Sequence, residues 1–331
     1  MRPWLKIAGV LAGALAVTLA GAFAYWGVFL PRTAPARTQS IVPTPERLAR
    51  GKYIFQVVAD CGGCHSARDF SRFGGPPIQG GTGRGQIMPE AGLPGRIVVP
   101  NITPDLETGI GTWSDGEKIR AIREGIAKDG RALFPMMPYT NYRKMSDDDV
   151  ESLVAYLDSL PPIKNKLPET QVAFPVSFLI RSAPQPAGSV KAPPAGATAA
   201  YGEYLVTLSS CMTCHTQDDK GQLKEDLKFA GGKVFQFPGA TVVSANITPD
   251  PETGIGSWSE DYFKQRFSIH RTYVEKGSPA VGPERFTVMP WLSFSQLEPD
   301  DLSAIYKFLQ KQPTVRNKVE THPTKVQRAG V

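Results

Sequence analysis

The chain has 331 residues, enough for two domains that each bury a core. Its net charge of +6 is uneven: residues 46–162 carry 14 Lys/Arg against 15 Asp/Glu, and residues 200–313 carry 11 against 14. The basic surplus lies in residues 1–45, 163–199 and 314–331, so the globular parts hold no basic stripe and a nucleic-acid partner is excluded.

The first predicted element is a helix over residues 7–30, where only Thr18 is clearly polar. About 20 such residues cross the hydrocarbon core of a bilayer. Arg2 and Lys6 precede the run with no acid between them, which puts the N-terminus in the cytoplasm and the rest beyond the membrane. Trp4, Tyr25 and Trp26 stand near its ends, where interfacial aromatics are expected. Ala20-Gly21-Ala22 resembles a signal cleavage site, but a secretory apolar core is typically about 7–15 residues. A retained transmembrane anchor is therefore favoured over a cleaved signal, and either one delivers the remaining residues to the far side of the membrane.

Residues 31–45 read as an extended, mobile Pro/Thr/Ala tether. Helical patterning starts at Glu46, with Leu48, Tyr53, Ile54 and Val57 on one face. Gly51 costs such a helix stability, which the close approach of another helix would justify. The candidate is 147–160, with Ser146 as N-cap and Val150, Leu153, Val154 and Leu157 as its apolar stripe.

After the first helix comes Cys61-Gly62-Gly63-Cys64-His65, and the pattern returns as Cys211-Met212-Thr213-Cys214-His215. Cys-x-x-Cys-His reads as a c-type haem attachment, in which the thiols add to the haem vinyl groups and the histidine reaches the iron. The two motifs use all four cysteines. Zinc or dithiol chemistry would not require the histidine after each pair, and a disulfide framework is unusual in a chain this long. Two covalent haem c groups are expected, on Cys61, Cys64, Cys211 and Cys214.

The Gly/Pro-rich stretch 74–112 is too irregular for a sheet, and a haem inside would supply the missing core. A helix is predicted from Asp115 to about Lys128, opened by a Ser114/Glu117 capping box. Residues 161–199 hold eight prolines and read as a linker, with an apolar patch, Phe174 to Ile180, that would strap onto a domain surface. From Tyr201 the pattern begins again. Residues 101–114 and 246–259 agree at 12 of 14 positions, and Met137-Pro138 answers to Met289-Pro290. One fold is used twice.

The second axial ligand of each iron emerges in part by elimination. Of four histidines, the two outside the motifs, His270 and His322, both lie in the second half. The first haem is left with Met88, Met136, Met137 and Met145. The repeat selects Met137 and Met289, each succeeded by a proline that favours a ligand on a loop. Met/His ligation raises the potential and suits electron transfer. Met136 and His270 are the substitutes, and simple core packing is the rival role for the methionines. His322 reads as solvated. Trp113 and Trp258 either donate to haem propionates or pack in the core. Asn101 and Asn246 read as turn-formers, with the Asn-Ile-Thr glycosylation pattern discounted.

The two haem motifs, the Asn-Ile-Thr-Pro-Asp-x-Glu-Thr-Gly-Ile-Gly-x-Trp-Ser block and Met137-Pro138-Tyr139 resemble the cytochrome c subunits of membrane-bound alcohol, gluconate and aldehyde dehydrogenases. The resemblance implies a mainly α fold: two tandem, periplasmic, class I-type cytochrome c domains after an N-terminal transmembrane helix. It implies His65 with Met137, and His215 with Met289, as axial pairs. It also implies electron transfer from a periplasmic dehydrogenase towards quinone, a soluble cytochrome or a terminal oxidase. Those subunits usually carry three such domains and are often anchored at the C-terminus, whereas this sequence has two motifs and an N-terminal span.

The predicted organisation is thus anchor and tether 1–45, first cytochrome domain 46–162, linker 163–199, second cytochrome domain 200–313 and basic polar tail 314–331. The predicted function is inner-membrane electron transfer without substrate chemistry. The alternatives are a dihaem peroxidase, which needs one displaceable ligand and an acid/base group, and a fixed dihaem subunit of a haem–copper oxidase.

Overall fold

The computed structural model describes residues 3–38, 40–89, 92–219, 221–237 and 239–323. Arg2 and the tail residues 324–331 lie outside the described residues. Helix α1, Pro3–Phe29, is exposed along most of its length, and its stretch Lys6–Gly27 is long and apolar enough to cross a membrane. The tether beyond it is not free. Arg37 pairs with Asp147 at 3.2 Å, and the Ile41 N–H donates to Asp115 at 2.7 Å. Gly116 makes room for it, since a Cβ there would lie 1.9 Å from the Arg37 carbonyl oxygen.

Helix α2, Pro45–Tyr53, is capped by Thr44 and starts on proline, which needs no N–H donor there. It runs on into a π-helical turn, Ile54–Val58. The haem motif forms the short α3, Cys61–His65. Helix α4, Asp115–Glu124, has the full Ser114/Glu117 capping box. It stops short of Lys128 because Gly125 adopts φ 76° and closes it with a left-handed C-cap. Two more helices complete the first half: α5, Tyr139–Tyr142, and α6, Asp147–Asp158, capped by Ser146.

The linker forms α7, Val176–Leu179. The second half holds α8, Ala199–Leu208; α9, Cys211–His215; α10, Glu260–Ser268; α11, Arg271–Lys276; α12, Trp291–Phe294; and α13, Pro299–Leu309. Among the described residues the strands pair only in twos, all antiparallel. Strand β1, Gln86–Ile87, joins β3, Val98–Val99, and β2, Gly95–Arg96, joins β4, Gln171–Val172. In the second half β5, Asp218–Asp219, joins β6, Gln222–Leu223, and β7, Val234–Phe237, joins β8, Ala240–Val243.

Each half is built on one close helix crossing, α2 on α6 and α8 on α13. A Cβ on Gly51 would lie 1.9 Å from the Ser152 carbonyl oxygen, and one on Gly202 1.9 Å from that of Ala304. Val150, Leu153, Val154 and Leu157 are buried in the first crossing, as the stripe requires.

The linker is laid against the first half at several points. The Asp147 N–H donates to Val190 O at 2.9 Å, and Arg123 to Gly188 O at 2.7 Å. Its apolar patch meets α1 rather than a domain surface: the Phe178 ring stacks on Phe23 with centroids 4.9 Å apart.

The two halves exchange equivalent contacts. Tyr53 donates to Asp301 at 2.6 Å, and Tyr204, its counterpart, donates to Asp149 at 2.7 Å. Ser293 donates to Asp60 at 2.7 Å, and Asn141 donates to Ser210 at 3.0 Å. The repeat is thus also a two-fold-like assembly, and it carries the start of each haem motif to the helix after the methionine of the other half.

Candidate haem sites

Each motif histidine is held by its Nδ1. That of His65 lies 2.9 Å from Pro100 O, and that of His215 lies 2.7 Å from Ala245 O. A carbonyl only accepts, so Nδ1 carries the proton and Nε2 keeps a lone pair for a metal. Burial holds the His65 imidazolium down to about 4, opposed by the Pro100 bond, and His215 is lowered for the same reason. Both rings are therefore neutral, as ligation requires.

The carbonyl-bearing segments reach the rings because glycine faces them. The Gly85 N–H donates to His65 O at 2.8 Å and that of Gly231 to His215 O at 2.7 Å. A Cβ on Gly85 would come within 2.6 Å of the Pro100 backbone, and one on Gly231 within 2.4 Å of that of Ala245.

The repeated asparagine block is a hydrogen-bonded knot. Asn101 Oδ1 accepts from Thr103 N and Oγ1, while its amide donates to Thr108 Oγ1 and to Ile163 O at 2.7 Å. Asn246 repeats this with Thr248, Thr253 and Val315 O, the last at 2.8 Å. Both therefore form turns, as read from sequence, and both also clip the chain leaving α6 or α13 over the site. Asn101 is 3% exposed with its amide committed, which leaves no room for a glycan.

The four cysteines are free, with Cys61 and Cys211 partly buried and Cys64 and Cys214 exposed. Burial pushes the Cys61 thiol well up and that of Cys211 up to about 12, so neither is a ready thiolate. Among the described residues no group of three or more His, Cys, Asp or Glu side chains could hold a metal ion.

Met137 and Met289 are partly buried against the core and lead into the same tight turn. The Tyr139 N–H donates to Met137 O at 2.8 Å, and the Trp291 N–H to Met289 O at 2.7 Å. Met145 is fully buried in the core, a packing residue. Tyr142 on α5 donates to Ala59 O at 3.3 Å, which brings the stretch after Met137 to its own haem motif as well. Trp113 and Trp258 pack half-buried against the core, the latter edge-on to Tyr262 at 5.0 Å. His270 sits at the start of α11, its ring on Phe73 and on Trp291, each at 5.0 Å.

His322 is not solvated. Its Nε2 bonds Phe286 O at 2.9 Å, because residues 314–323 return along the second half and the Val243 N–H donates to Thr321 O. Sequence reasoning also missed Asp60 and Ser210, which precede the motifs in the left-handed region at φ 43° and 55°. Their type carries no shared signal; only the alignment of the repeat pairs them.

The cytochrome c family profile matches residues 48–161, a stretch holding the first haem motif and Met137. Residues 48–161 belong to the cytochrome c family. The chain is 31% identical over 281 residues to the cytochrome c subunit of a quinone alcohol dehydrogenase from Gluconacetobacter polyoxogenes, covering 80% of this chain and 56% of that protein. It is 31% identical over 274 residues to the gluconate 2-dehydrogenase cytochrome c subunit of Pantoea cypripedii, covering 79% and 58%. A dihaem cytochrome c-type protein of Cereibacter sphaeroides is 28% identical over 310 residues, covering 92% of this chain and 98% of that one. The chain thus spans little more than half of the dehydrogenase subunits, yet nearly all of the dihaem protein.

A cytochrome c domain implies covalently bound haem c, and the residues fit it. The thiols are free, and each histidine presents Nε2 from a clamped ring.

Proposed function

We propose that this chain is a membrane-anchored dihaem cytochrome c, built of tandem cytochrome domains at 46–162 and 200–313. Cys61 and Cys64, and Cys211 and Cys214, would hold the haems. His65 with Met137 and His215 with Met289 would ligate the irons, and the haems when bound would supply one-electron transfer. The carrying observation is that the Nδ1 clamp occurs in both halves, on a backbone carbonyl at the same place in the repeat. The clamp fixes the ring and its tautomer, so little rearrangement accompanies a change of iron charge.

The names of the relatives support the direction of flow. Electrons would enter from a dehydrogenase beyond the cytoplasmic membrane and leave towards quinone, a soluble cytochrome or a terminal oxidase. Helix α1 would keep the N-terminus in the cytoplasm and the domains in the periplasm. Mass spectrometry of the mature protein is expected to show two covalent haems, and its reduced spectrum two low-spin sites. One haem only, or hydrogen peroxide turnover at a high-spin site, would overturn this reading.

A further inference from the structure

The mount between α1 and the first half carries a feature that electron transfer does not use. Residues 174–181 form a short helical loop, holding α7, rooted at both ends on the first half. On one side Ala173 N–H donates to Pro94 O at 2.7 Å beside the β2–β4 pair; on the other Arg143 donates to Ala183 O at 3.3 Å. The tip of this loop is apolar and open, with Phe174 76% exposed and Leu179 54% exposed.

The same tip touches the end of α1. Phe178 stacks on Phe23 and lies 6.2 Å from Trp26. Arg181 donates to the carbonyls of Gly27 and Leu30, which the end of a helix leaves without partners. Around that end stand Phe29, 65% exposed, and Tyr25, whose hydroxyl accepts from Arg32. Aromatic rings with nearby guanidinium groups are the composition of a bilayer interface, where rings sit at headgroup level and cations meet phosphate.

We propose that residues 174–181 are an interfacial membrane element, seated in the headgroup layer of the bilayer that α1 crosses. The occupant of this apolar face is lipid, because the face is continuous with the membrane-spanning helix through the Phe178 stack. Phe174 and Leu179 enter the acyl boundary, as the apolar side of interfacial segments does. With the tether docked at Arg37 and Ile41, the segment makes a second attachment and holds the first half at the membrane surface at a fixed tilt.

The inference rests on reading α1 as a retained span, and one experiment separates the two. The full chain, carrying p-benzoylphenylalanine at a single position, is placed in lipid nanodiscs, checked for its haem absorbance, irradiated and digested. Lipid adducts are then read by mass spectrometry. Positions 174 and 179 are expected to give adducts several-fold above position 70, where Phe70 is 41% exposed and packs on Phe286 of the second half. If position 23, inside the span, gives adducts while 174 and 179 match position 70, the interfacial element is refuted and the anchor stands. If position 23 gives none, the anchor reading fails and this proposal fails with it.

Discussion

At the scale of single residues, Met137 and Met289 share what a ligand needs: partial burial and a turn over the next proline that fixes the backbone. Met137→Ala and Met289→Ala are each expected to remove one thioether-to-iron charge-transfer band at the red end of the oxidised spectrum and to lower one reduction potential. Survival of both bands in the double variant would show the ligands misassigned. The clamped histidines make a second prediction. His65 is held down to about 4 from an ordinary 6.5, by burial. Between those values the unfolded chain takes up a proton that the folded chain refuses, so stability falls as pH drops through this window. The loss is about 1.4 kcal/mol per pH unit for such a group, with no effect above the window. His215 and His270 shift the same way, and iron on Nε2 can only deepen the effect. Guanidinium unfolding should therefore give lower stability at pH 5 than at pH 7, and equal values would refute the burial of the ring. The cysteines and histidines of the motifs are legible at a glance because their spacing is the chemistry. The clamps are not, since Pro100 and Ala245 act through backbone carbonyls 35 and 30 residues away.

At the scale of elements, caps and stripes make α4 and α6 readable, and the glycine of α2 foretells its partner helix. Gly51→Ala and Gly202→Ala should each cost about 3 kcal/mol or more, because the added methyl meets a backbone oxygen that has no rotamer to change. Gly188→Ala, with nothing within 4 Å, is the control and should stay within about 0.5 kcal/mol. Thermal melts of the three variants decide it; equal melting temperatures would mean that the helices cross less closely than these glycines require. What sequence patterning misses here is local departure from the 3.6-residue period. The stripe places Ile54 and Val57 inside, yet Phe55 and Val58 are buried too, because the π-helical turn widens the buried arc. Gly125 likewise ends α4 before Lys128, a stop signal that lay in plain view.

At the scale of the whole molecule, the pairing of the halves was the least legible feature, although the duplication that makes it possible was the most. Tyr53 and Asp301 lie 248 residues apart, and Tyr204 and Asp149 lie 55 apart; Tyr53 reads from its spacing as part of an apolar helix face, and no local pattern joins either tyrosine to its carboxylate. Together they form a reciprocal lock, in which each half supplies one hydroxyl and one carboxylate. Burial raises the Asp301 carboxyl, and the Tyr53 hydroxyl works against that by solvating the anion. Tyr53 also accepts the Glu298 N–H at the start of α13, so its loss would strand a helix-end donor as well. Tyr53→Phe and Tyr204→Phe are each expected to cost about 1–3 kcal/mol, the penalty for leaving a partly buried polar group unpaired. The two losses act on one interface, so the double variant should depart from their sum. It should also unfold in two steps, one per half, where the parent unfolds in one. Calorimetry reads both effects: a single transition with additive losses would mean that the halves are coupled by their other contacts, and that these reciprocal pairs only decorate the join.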